Sequence, residues 1–194
     1  MTNLYDYSTA DRSSFDLVPA KTQAPAIFAV RAGDQGTPEN AFSVTRSGLY
    51  QLTLEATITE GEYAKRKIFH RITVGAAPGT QLTEGQEKGI NIGKQFLRSL
   101  LEAGRGFAPT DESPQAIEAR KMSSIFELDG LEAWIEVGIE VDKTGQYGDK
   151  NTIRRILPAK ASERAAGAPA SAPVAAPRTP ARSAAPAAPA KRGW

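Results

Sequence analysis

Lys67, Phe69 and Arg71 stand at alternate positions, two cations flanking an aromatic ring. On an extended strand, alternate side chains project from one face. Such a trio attracts phosphates and stacks a base. Those are the two requirements for holding a single nucleic-acid strand without reading its sequence. Tyr63, Lys65 and Arg66 adjoin the trio in the preceding turn. A bulge that slipped the register by one residue would send Phe69 into the core instead; periodicity leaves both arrangements open. A second cluster, Lys143, Tyr147, Lys150, Arg154 and Arg155, spans a glycine-containing loop and the strand after it. It offers the same chemistry. The alternative is a turn shaped by Gly145, Gly148 and Asn151, with its charges solvated.

Two tryptophans point elsewhere. Trp134 alternates in phase with Glu132, Glu136 and Glu140. Carboxylates repel phosphates, so this face suits a protein partner or a subunit contact, or else a sheet wall covered by a helix. Trp194 follows Lys191-Arg192-Gly193 at the end of the chain, as a docking anchor or with no role. Nothing assembles into a catalytic centre. There is no cysteine and one histidine, which excludes disulfides and thiolate chemistry and argues against a His-rich metal site or a Ser-His-Asp triad. His70 shares its face with Ile68, Ile72 and Val74, as a satisfied inner-face histidine would. No glycine-rich phosphate loop precedes a helix. The expectation is a non-enzyme with no cofactor and no metal.

Strands must position these residues. Tyr50, Leu52, Leu54, Ala56 and Ile58 alternate with polar residues, as do Lys65–Val74 and Leu131–Val141, the signature of half-buried strands. Residues 24–32 and 152–157 read as two further strands, and 41–44 as a short edge strand. The first alternating pair, joined across Gly61, reads as a hairpin. Residues 75–89 are loop-like. Ile92, Phe96, Leu97, Leu100 and Leu101 recur at helical spacing up to Gly104. Ser113-Pro114 opens a second helical pattern reaching about Phe126. Three early strands, helical material and a final hairpin give a mainly β chain, ordered like a five-stranded OB-fold barrel with one or two helices between strands 3 and 4. A small β-sandwich remains the alternative.

The division of the chain is compositional. Residues 1–14 read as a flexible polar arm and 15–158 as the domain. Residues 159–194, with fifteen Ala and six Pro, bury too little apolar surface to offset the cost of ordering, so they read as a disordered tail. The tail carries six Lys/Arg against one Glu, a net +5. Residues 1–158 then carry 18 Lys/Arg against 21 Asp/Glu, a net −3, inside the whole-chain +2. The basic balance therefore belongs to the tail and does not show that the domain binds polyanions. The tail is either a polyanion-binding arm or a solubilising extension. No run approaches the roughly 18 apolar residues of a membrane span. The expectation is a soluble, intracellular protein without a membrane partner.

Two segments carry a family likeness. Gly61-Glu-Tyr-Ala-Lys-Arg-Lys-Ile-Phe-His70 resembles the "G-x-Y-x-G-R-K-V-F" hairpin of a family of small phage-encoded proteins long catalogued as a domain of unknown function. Val137–Asn151 is similar to that family's "V-G-I-x-x-D-K … Y-G-D-x-N" hairpin. The resemblance covers roughly residues 15–158. It implies an OB-like fold and single-stranded-DNA binding in phage replication or recombination, with phage or host replication and recombination proteins as further partners. Homo-oligomerisation stays open. The chain departs from the pattern at Lys65, where the family has Gly, and in its basic rather than acidic tail.

Overall fold

The computed structural model describes residues 16–158, Tyr147 excepted. The expected arm, the tail and Trp194 lie outside those residues. Six antiparallel strands form one sheet: β1 (Gln23–Val30), β2 (Phe42–Val44), β3 (Leu49–Ile58), β4 (Lys67–Ala76), β5 (Glu132–Glu140) and β6 (Lys150–Ile156). β3 is the hub. One of its edges pairs with β4 from Leu49↔Ala76 to Thr57↔Lys67. Its other edge takes β1, from Ala26↔Ile58 to Val30↔Leu54, and then β2, from Phe42↔Leu52 to Val44↔Tyr50. β1 continues to β5, and β5 to β6. The sheet is not closed: no backbone ladder joins its ends, β4 and β6, among the described residues. One side-chain bond crosses instead, His70 Nδ1 to Thr152 Oγ1 at 2.9 Å.

Alternation fills the core as expected. Leu52, Leu54, Ala56 and Ile58 on β3 are buried with Ala24, Ala26 and Phe28 on β1 and Ile68 and Ile72 on β4. Removing such side chains from water supplies most of the stabilisation, about 25 cal/mol per Å² of apolar surface. On β5 the inner face stops at Val137; Ile139 and Val141 are exposed.

The helices depart from expectation. α1 runs Glu84–Gly104, two turns longer than Ile92–Gly104, through a stretch that reads as loop. The signal for the longer helix is Thr83-x-x-Gln86. The Thr83 hydroxyl accepts from Gln86 N, and the Gln86 amide oxygen accepts from Thr83 N, a reciprocal cap. Gly85, Gly89 and Gly93 mask the helix by lowering its propensity. The buried face also rotates: Ile92 is 60% exposed, while Ile90, Gly93, Leu97, Leu100 and Leu101 face inward. Gly93 decides this. A Cβ there would lie 1.9 Å from the Thr73 carbonyl oxygen, so only glycine lets α1 close on β4. α2 (Pro114–Ala119) starts as expected, Ser113 capping Ala116 N, but ends well before Phe126; a 3-10 turn, Ile125–Leu128, follows. No helix among the described residues is long and apolar enough to cross a membrane.

Candidate nucleic-acid interface

On β4 the register is regular from Lys67 to Thr73. Ile68 and Ile72 are buried, His70 is half-buried, and Phe69 stands 51% exposed between the exposed Lys67 and Arg71. The bulge that would have buried Phe69 is absent from this part of the strand. Lys67 is tied down, its Nζ 2.7 Å from Glu55 Oε1; Arg31 Nη1 reaches the other oxygen at 3.2 Å. Glu55 sits directly opposite Phe69 and Ala29 and is 6% exposed. Arg71 forms no ion pair among the described residues. Arg31 is a site residue that the sequence reading did not include. The signal for it was the phase of β1, whose outward positions Pro25, Ile27 and Ala29 continue to Arg31.

The turn before β4 contributes less. Tyr63 packs half-buried on the core. Arg66 donates to the Asp16 carbonyl at 3.0 Å and holds the entering chain. Neither is placed as a free surface group. Lys65 is exposed, but at φ +70°. That region costs a non-glycine residue roughly 1–2 kcal/mol, and the glycine of the similar hairpin pattern would fit there without strain.

β6 is irregular. Glu136 pairs with Arg155 and Val137 with Ile153, so Arg154 is an extra residue bulged out of the ladder. Ile153 and Ile156, three apart, both point inward. Arg154 and Arg155, which a regular strand would send to opposite faces, therefore both meet Glu136. Arg154 Nη1 lies 3.0 Å from Oε1; Arg155 Nε and Nη2 lie 2.9 and 2.6 Å from Oε2. Glu136 is only 3% exposed. The hydrogen bonds from Arg155, and then the charges of both arginines, hold its carboxyl below the usual range against the opposing effect of desolvation. This corrects the expected acidic face of Trp134. Glu136 is covered by two cations and Glu140 lies 3.3 Å from Lys150, which leaves Glu132 with no ion pair among the described residues. Trp134 itself is half-buried opposite Pro25.

The loop between β5 and β6 is bonded to itself. Asp142 accepts from Thr144 N, Thr144 Oγ1 and Gly148 N, while Gly145 and Gly148 take positive φ. Lys143 is exposed there; Tyr147 is outside the described residues. A shallow groove of about 400 Å³ lies between Glu140, Asp142, Lys143 and Lys150. Asn151 does not shape this turn. Its amide clamps Val18, donating to the carbonyl at 2.7 Å and accepting from the N–H at 2.9 Å.

β4 and β6, the strands that carry most of the two clusters, meet along a seam. His70 bonds Thr152 across it and lies against Phe96 of α1, ring centroids 4.6 Å apart. Burial pushes the imidazole pKa down to about 4, against the opposing charge of Glu140. The outer face of the sheet carries two separate ion-pair clusters, Arg31 and Lys67 on Glu55 and Arg154 and Arg155 on Glu136, with Arg71 exposed on β4 and Glu132 on β5. The chain matches no family model, no curated protein and no solved structure. Residues 15–158 carry 17 Lys/Arg against 19 Asp/Glu, a net −2, so a locally cationic face is invisible to overall charge. Among the described residues no group of three His, Asp or Glu side chains could hold a metal.

Proposed function

We propose that this chain binds single-stranded DNA without sequence preference, on the outer face of β3, β4 and β6. The observation that carries the reading is Phe69, half-exposed between Lys67 and Arg71 on a regular strand. An aromatic so placed has no core to fill, and base stacking gives it a use. The strand order supports it. We read β4-β3-β1-β5-β6, with α1 between β4 and β5 and with β4 and β6 meeting at the open ends, as a partly open OB-like barrel, a fold that binds oligonucleotides. The two family-like hairpins point the same way, to phage-type replication or recombination.

Fluorescence anisotropy with a labelled oligo(dT), titrated across salt, tests it. Binding should weaken linearly with log salt concentration. Phe69→Ala should weaken it by about 1–3 kcal/mol, roughly 5- to 150-fold, with little change in melting temperature because the ring is exposed. Absence of salt-sensitive binding at low salt would overturn the reading. The rival, an adaptor docking a recombinase or helicase through Trp134, loses most of its acidic surface to Arg154, Arg155 and Lys150. Capture of such a partner without DNA, abolished by Trp134→Ala, would revive it.

A further inference from the structure

Among the described residues three carboxylates are buried, and each is held by two basic side chains: Glu55 by Arg31 and Lys67, Glu102 by Arg98 and Arg120, and Glu136 by Arg154 and Arg155. They are not equivalent. At Glu102, Arg120 is itself enclosed, its side chain 12% exposed and also bonded to the Asp111 carbonyl and Glu112. That cluster staples α1 to α2. At Glu136 both arginine side chains remain open, 60% and 62% exposed, although their carboxylate is not.

From this contrast we infer that Glu136 is a positioning residue of the proposed interface, one whose buried carboxylate fixes Arg154 and Arg155 side by side as a phosphate clamp. The inference rests on the single-stranded-DNA reading. Two adjacent guanidiniums on one face repel each other, and left alone they would splay apart. A carboxylate between them removes that repulsion and orders both side chains before any ligand arrives. The cluster still keeps one net positive charge. Each guanidinium has five N–H donors. Arg154 uses one on Glu136, and Arg155 uses one at Nε and one at Nη2. The unused donors on two half-exposed planar forks suit the oxygens of a phosphodiester. The β6 bulge makes this possible, since such irregularities re-aim side chains next to functional sites. Glu55 repeats the device with Arg31 and Lys67, whose side chains are both 57% exposed, beside Phe69.

The role makes a prediction opposite in sign to simple electrostatics. Glu136→Gln raises the net charge by one, so charge alone would tighten binding to a polyanion. A positioning carboxylate requires the reverse. In the full-length chain, Glu136→Gln should weaken oligo(dT) binding by roughly fivefold, with a salt slope shallower by about 0.7 for each phosphate no longer neutralised. In an Arg154→Gln/Arg155→Gln background the same change should no longer weaken binding, which a general loss of structure would not explain. Should Glu136→Gln fail to fold, Arg154→Lys and Arg155→Lys decide the matter on exposed positions. They preserve charge but not the fork, so they should weaken binding, and unchanged affinity would overturn the clamp. Tighter or equal binding by a folded Glu136→Gln chain overturns it too, with DNA binding by the unsubstituted chain intact. No binding by the unsubstituted chain removes both the clamp and the reading beneath it.

Discussion

β4 and β6 present cations to the same side of the sheet by opposite means. β4 does so through strict alternation. Ile68, His70 and Ile72 face inward, so Lys67, Phe69 and Arg71 must face outward. β6 does so by breaking alternation: one extra residue brings neighbours Arg154 and Arg155 onto one carboxylate. The regular strand ties its function to its core, because no outward residue can move without an inward one. The bulged strand loosens that tie. A cation could be added there while Ile153 and Ile156 stayed buried.

The two strands should therefore respond very differently to a change of length. Inserting one alanine between Phe69 and His70 would turn His70, Ile72 and Val74 outward. Exposing two inward aliphatic side chains in this way should cost about 3–5 kcal/mol, read as a collapse of the urea midpoint. A cost below about 1 kcal/mol would show that β4 can slip.

The next effect concerns the bond that joins the strands. Folded His70 has its pKa pushed from 6.5 down to about 4, so the unfolded chain takes up the proton first. Stability should be complete above the unfolded value, fall as pH drops from about 6.5 towards 4, and level off below that. Between pH 7 and pH 5 the fall should be about 2 kcal/mol. His70→Gln should flatten it. Glu127 and Glu136, lowered from 4.5 by their hydrogen bonds, add a further decline only below that value, since they stabilise the fold while ionised. Urea titrations at the two pH values check the histidine; an unchanged slope in the Gln chain would assign the effect elsewhere.

The smallest stability change should come from deleting Arg154. Val137↔Ile153 and Glu136↔Arg155 would become adjacent pairs of an ordinary ladder, so the folding free energy should shift by less than about 1 kcal/mol. DNA binding should still weaken, because one phosphate fewer is neutralised and the salt slope becomes shallower by about 0.7. A severe drop in stability would show that the bulge itself supports the sheet.

By itself the sequence determined whatever is periodic and local. The phase of β3 and the Ser113 cap were legible, because a two-residue period or a short capping pattern fixes each of them, whereas for Phe69 the period left two registers open. The second cluster was legible in composition only. Nothing in Thr152-Ile-Arg-Arg-Ile156 says that its two arginines share a face, because a bulge is set by the partner strand. Nor could the sequence show that Glu136, in phase with two other glutamates, would be buried and covered by cations from another strand. The length and phase of α1 depended on Gly93 meeting the Thr73 backbone, a close approach between residues twenty positions apart in the chain. Tertiary structure alone decided those things, because ion pairing and close backbone approach depend on which strands become neighbours, whereas alternation depends only on the next residue.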